Sequence, residues 1–102
     1  LVFILQRGVR FPQGPPLMPY FVYMLLTKYK DKNITYVGYT NNLENRLKLH
    51  NTSNGAKFTK GKIWKIIYKK KFITKSSAMK GEYKLKKDYK LRKFIKFNFL
   101  NK

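Results

Sequence analysis

The sequence predicts a mixed α/β (α+β) fold, a small three-stranded antiparallel sheet flanked by helices in the order β-β-α-β-α-α. Three observations predict it. Two β-branched and aromatic runs, "YFVYMLL" from Tyr20 and "ITYVGYT" from Ile34, stand close enough to pair as a hairpin. A third run, "IWKIIYKKKF" from Ile63, follows a loop-like stretch, "NTSNGAKFTKGK". Between and after these runs, apolar residues recur at helical spacing, the pattern of helices laid on a sheet.

Taken in order, "QRGVRFPQGPPLMP" holds all four prolines and has no periodicity. Residues 1–18 are therefore read as a flexible leader or upstream extension, with Met18 a candidate natural start. The folded domain is assigned to 19–102. The first strand is the compact apolar run from Tyr20, read as buried. "TKYKDKN" is read as a seven-residue polar turn, and the second strand follows it. Asn41 then caps a first helix, with Glu44 three residues later completing a capping-box pattern. In the third strand, alternation places Trp64, Ile66 and Tyr68 on one face. Ser76 or Ser77 opens a second helix running to about Lys87. A last helix over about 88–97 carries Leu91, Phe94 and Ile95 at helical spacing.

Composition narrows the partner before any site is named. The chain has 24 Lys and Arg against four acids, a formal charge of +20 over 102 residues. Such a field does not choose a fold, but it favours a polyanionic partner, and counterion release from phosphates makes nucleic acid the leading one. The basic residues are interleaved with Tyr, Phe and Ile, unlike a single amphipathic membrane helix. With no cysteine and one histidine, Cys-based and His-cluster metal sites are excluded. A bound metal would be a hard, oxygen-liking ion with few protein ligands. No apolar run approaches bilayer length, and the opening "LVFIL" is too short for a signal-peptide core. The expectation is an intracellular, bacterial-type cytoplasmic protein, a monomer or weak dimer with no membrane partner.

Candidate chemistry comes from the helices. At about 100° per residue, Leu43 and Leu47 make the apolar stripe of the first helix. Arg46 and His50, four apart, stack on a face bordering that stripe and aim beside the strands. On the second helix, Ala78, Glu82 and Leu85 fall on one stripe with Met79 beside it, so the Glu82 carboxylate projects inward. A carboxylate there must be paired, hydrogen-bonded or metal-bound. The bland alternative is an exposed i,i+4 pair between Glu82 and Lys86. Two strand tyrosines, Tyr23 and Tyr36, complete the set. Phosphodiester cleavage needs a base for water, a cation for the developing charge and a divalent ion held by a carboxylate.

"FVYML", "TYVGYT", "NLENRLKLHN", "NGAKFTKGKIWKIIYKKKF" and "SSAMKGEYKLKK" follow one another in the order and spacing of one known domain. Over roughly 19–96 the chain resembles the GIY-YIG nuclease superfamily, in its small single-domain, UPF0213-type form. The resemblance implies a metal-dependent endonuclease acting on DNA, branched or single-stranded DNA included, with a role in repair or recombination, and DNA ahead of RNA. It implies that Tyr23 or Tyr36 activates the attacking water, Arg46 holds the scissile phosphate, His50 orients or deprotonates a partner, and Glu82 binds a single Mg²⁺ or Mn²⁺. Gly38 would let the strand turn beside the site. Phe21 replaces the first motif's glycine, and Tyr39 stands where several relatives have lysine, so a helper cation is missing there. Asn98 is an accessory candidate if it turns inward, and Lys48, Lys57, Lys60 and Lys62 are candidate nucleic-acid contacts. The alternative is a basic nucleic-acid-binding module, for DNA or RNA, that keeps the fold without catalysis. A third reading is an RNA- or ribosome-associated scaffold, which leaves the inward Glu82 unexplained.

Overall fold

Ten residues, Tyr20–Tyr29, form strand β1, and six of them in a row, Val22 to Thr27, are buried. A strand buried on both faces has to be central, and the sheet order β2-β1-β3 makes it so. These features come from a computed structural model that describes residues 19–102. The leader assigned to 1–18, with Met18, lies outside the described residues.

Strand β2, Lys32–Thr40, pairs antiparallel with β1 from Phe21↔Thr40 to Tyr29↔Lys32. The link between them is two residues and not the seven expected. Lys30 and Asp31 have φ of 50° and 63°, the left-handed pair that matches the twist of a tight hairpin. The ladder continues past the apolar residues because backbone hydrogen bonds do not require an apolar side chain. Strand β3, Lys65–Phe72, pairs antiparallel with the other edge of β1. Its register shifts between Met24↔Tyr68 and Leu25↔Ile66, leaving Ile67 as the extra residue of a bulge. The bulge overturns the expected common face. Trp64 and Ile66 join Tyr23 and Leu25, whereas Tyr68 joins Val22 and Met24 on the other side.

Helix α1, Leu43–Asn51, lies on the Tyr23/Leu25 face through Leu43 and Leu47. Its cap is Asn42, one residue later than expected. The Asn42 side chain accepts the Asn45 amide at 3.1 Å, so Glu44 takes no part in a capping box. Asn51 closes the helix by pairing with the backbone of Trp64. It accepts the Trp64 amide at 2.6 Å and donates to the Trp64 carbonyl at 3.2 Å, which ties down the loop between them.

Helix α2, Lys75–Lys87, covers the opposite face through Ala78 and Leu85, with Thr74 and Ser77 forming its capping box. Met79, expected beside that stripe, is exposed. Helix α3, Tyr89–Leu100, runs three residues further than expected, and its expected stripe faces inward only in part: Ile95 packs against the core, whereas Leu91 is exposed and Phe94 61% exposed. Asp88 is both the C-cap of α2 and the N-cap of α3, so this one-residue link sets the phase of α3. Arg92 donates to the Leu85 carbonyl at 3.1 Å, and Lys96 reaches the Asn33 carbonyl of β2 at 2.8 Å. Two cationic side chains therefore occupy the inner side, where apolar ones were expected. No helix among the described residues is long and apolar enough to cross a membrane.

Candidate active site

Residues from both faces of the sheet meet where β1 begins and β2 ends. Successive strand side chains alternate, so Tyr23 and Tyr36 point to the α1 side and Tyr20 and Tyr39 to the α2 side. At the meeting point is a cleft of about 410 Å³ whose lining includes Tyr20, Tyr23, Tyr36, Gly38, Tyr39, Arg46, Lys75 and Glu82. Gly38 is what opens it. Gly38 is the partner of Tyr23 across the strands, and a Cβ there would stand 2.5 Å from the Tyr23 phenolic oxygen. The phenol therefore lies across β2 at a position where no other residue fits without moving it. Its role is close approach and not a turn, since Gly38 does not have a left-handed φ.

Behind the cleft runs a chain of hydrogen bonds. The Tyr23 hydroxyl lies 2.9 Å from His50 Nε2, and His50 Nδ1 lies 2.8 Å from the Thr59 hydroxyl. Thr59 donates to the Ala56 carbonyl at 2.8 Å. A carbonyl can only accept, so the single Thr59 proton points there and its oxygen receives the Nδ1 proton. That leaves Nε2 bare, and the Tyr23 proton points at it. All donors run one way, and the neutral Nδ1–H tautomer of His50 is assigned by this network. His50 is fully buried, with Gly55 against one edge and the Tyr36 ring 5.1 Å away, centroid to centroid. Thr59 is equally buried and also accepts the Trp64 indole N–H on its carbonyl at 3.1 Å.

Burial shifts both ends of this pair. It pushes the Tyr23 phenol up to about 12, against a smaller opposing effect of the Arg46 guanidinium beside it, with Tyr36 and Glu82 adding to the rise. It pulls His50 below its ordinary value of 6.5, and Arg46 pulls the same way. For stability the sign follows directly. A histidine whose folded value is depressed contributes stability that is complete above about pH 6.5 and is lost as pH falls through the folded value. The melting temperature is thus expected to fall as pH drops below about 6.5, and to fall less in His50→Gln. Calorimetry at several pH values checks this, and a parent curve flat over that range would contradict a buried neutral His50.

Arg46 and Glu82 supply the cleft's opposite charges. Arg46 Nε is enclosed without a hydrogen-bond partner, the one such side-chain atom among the described residues. An unpaired buried donor costs about 1–3 kcal/mol, which a bound anion would offset. Glu82 lines the cleft with its side chain 21% exposed and stands 3.7 Å from Lys86, so the inward position and the i,i+4 pair occur together. Among the described residues no three His, Cys, Asp or Glu cluster as a metal cage. One cleft carboxylate fits a hard divalent ion that takes its other ligands from water and substrate phosphate.

The remaining expected residues are scattered. Asn98 is exposed on α3, which continues past it, and does not line the cleft. Lys48, Lys57 and Lys60 are exposed outside the cleft, and Lys62 is held by the Phe58 and Lys60 carbonyls. Tyr20, Lys75, Thr59 and Gly55 were not anticipated. Lys75 stands seven residues before Glu82 on one side of α2, a spacing that the sequence displays. Gly55 and Thr59 lie only five and nine residues after His50, but the irregular loop that turns them back onto its ring has no period from which the contact could be read.

The description "GIY-YIG catalytic domain" matches residues 19–95. UPF0213 protein OB0043 of Oceanobacillus iheyensis is 43% identical over 78 residues, 76% of this chain and 90% of that relative. UPF0213 protein CPE1444 of Clostridium perfringens is 44% identical over 72 residues, 70% of this chain and 76% of the relative. UPF0213 protein YazA of Bacillus subtilis is 43% identical over 72 residues, 70% of this chain and 72% of the relative. No solved structure matches the chain.

Proposed function

Because the chain belongs to the GIY-YIG catalytic domain family, we propose that it is an endonuclease that hydrolyses phosphodiester bonds in DNA. The observation that carries the reading is the one-way hydrogen-bond chain behind Tyr23, ending at a buried neutral histidine. Tyr23 faces a cleft that also holds Arg46 and Glu82. A phenol alone is a poor base near neutral pH, since its proton is held more tightly than usual. His50 Nε2 is placed to take that proton as the phenol takes one from water, so that no free phenolate has to form. The water oxygen bonds to phosphorus and the bond from phosphorus to one sugar oxygen breaks, its electron pair leaving on that oxygen, which takes a proton from solvent. The water proton ends on Tyr23, and the original Tyr23 proton sits on His50 until it is returned to solvent.

The imidazolium so formed keeps its Nδ1 proton on Thr59, so the ring does not have to turn. Arg46 would neutralise the charge that develops on the phosphoryl oxygens, with its fork of donors matched to two of them. Glu82 would hold one Mg²⁺ or Mn²⁺, which when bound supplies Lewis-acid polarisation of the phosphate. Tyr36, against the His50 ring, would position the imidazole and close the back of the cleft. Lys75 would add the second cation that Tyr39 does not supply.

The test is cleavage of labelled single-stranded, duplex and branched DNA with Mg²⁺ or Mn²⁺ against EDTA. Glu82→Ala is expected to lower metal-dependent cleavage by about 10²- to 10³-fold, with DNA binding in EDTA retained. If parent and variant both bind DNA and neither cuts in any metal, the chain is a binding module on this fold. Binding in either case should weaken steeply with salt, because the lysines contact phosphates.

A further inference from the structure

The turn Lys57–Thr59 holds one large aromatic ring out in water, where Phe58 is 52% exposed. A single exposed aromatic is ordinary. This one packs on a wall of the site. Its ring lies nearly parallel to that of Tyr36, with centroids 6.2 Å apart and planes 19° apart, and Trp64 stands behind it at 6.2 Å. Tyr36 is a wall of the cleft, and Phe58, which does not itself line it, is the next ring beyond that wall. The platform is also rigidly placed. Thr59, the next residue, is fully buried and bonded to His50, which fixes the turn to the hydrogen-bond chain behind Tyr23. Lys57 and Lys60 are exposed on either side, and the Lys62 ammonium lies 5.6 Å from the Phe58 ring centre.

We propose that Phe58 is a stacking platform for an unpaired base next to the scissile phosphate, so that the site selects single-stranded over duplex DNA. A π-face with exposed lysines near it is the arrangement that binds single strands without reading sequence. Bases inside a duplex have both faces occupied by their neighbours, so only an unpaired or splayed base can lie on the ring. Fixing the ring in advance through Thr59 lowers the cost of ordering it on binding. The inference rests on the nuclease reading for where the phosphate sits, but the stacking is read by binding alone.

The experiment uses the full chain in EDTA with a single-stranded DNA oligonucleotide carrying one 2-aminopurine, and a hairpin duplex of the same sequence. Phe58→Ala is expected to weaken single-strand binding by about 5- to 150-fold, the usual loss for one stacked base, while duplex affinity is unchanged. Parent protein should quench 2-aminopurine fluorescence and the variant should not. Phe58→Leu keeps an apolar side chain against Tyr36 but has no π-face, so it is expected to behave like Phe58→Ala, and Phe58→Tyr like the parent. Leu binding as tightly as Phe overturns the proposal, as does an equal loss on single strand and duplex. Quenching by a parent that cuts nothing in Mg²⁺ or Mn²⁺ would sink the nuclease reading and leave the stacking site standing.

Discussion

Tyr23→Phe is expected to slow DNA cleavage by about 10²- to 10⁴-fold, the usual worth of a positioned general base. The substitution removes one oxygen and nothing else. The ring keeps its place across Gly38, and its packing with Leu25 and Trp64 is untouched. What is lost is the only group among the described residues that both faces the cleft and bonds to His50. His50 Nε2 is then left buried without a donor, which costs about 1–3 kcal/mol of stability. The melting temperature should fall, and affinity for DNA in EDTA should not. Single-turnover rates with enzyme in excess separate the chemical step from binding. A variant that cuts at the parent rate would remove Tyr23 from the proton path and leave Tyr36 as the phenol to test.

Arg46→Ala is expected to cost about 10²- to 10³-fold in the same rate, with no loss of thermal stability. The two expectations come from one observation. Arg46 Nε is buried without a partner, so the side chain stores a cost in the free protein that a phosphate relieves. Removing it takes away transition-state stabilisation and the stored cost together. Arg46→Lys should recover only part of the rate, because a single ammonium cannot span two phosphoryl oxygens. A second readout comes from His50, which Arg46 holds down together with burial. NMR titration of the imidazole should show its value rise in Arg46→Ala. An unchanged rate in this variant would leave the cleft without its proposed phosphate ligand.

Much of the fold was legible because strands and helices declare themselves by period. The hairpin, the third strand and the helix order follow from local alternation, and the inward stripe of α1 follows from Leu43 and Leu47. The misreadings share one cause, which is that backbone geometry outside the side-chain pattern decided the outcome. A left-handed pair at Lys30 and Asp31 shortened the turn, and an extra residue at Ile67 sent Tyr68 to the other face. The single link at Asp88 set the phase of α3, so its apolar residues did not choose which way it faces. Asn98 fell with that phase.

For the candidate site, helical spacing put Arg46, His50 and Glu82 on inner or bordering faces, while the match of Tyr23 and Tyr36 to the motif tyrosines and the roles of all five came from the family resemblance. Gly38 was visible as a glycine in a strand, but its purpose was not. Only the cross-strand register with Tyr23 shows that the missing side chain makes room for the phenol.

The sequence by itself determined the strongly basic charge, the absence of cysteine chemistry, the element order and which residue types were available for catalysis. Those are properties of composition and of short periods, and they survive any arrangement of the chain. The tertiary structure alone decided that α1 and α2, on opposite faces, both reach the open end of the sheet. It also decided that His50 points its bare nitrogen at Tyr23. The direction of that hydrogen bond depends on Thr59 having one proton and the Ala56 carbonyl nearby to take it. A donor's direction is set by where its neighbours stand in space, and spacing along the chain does not contain that.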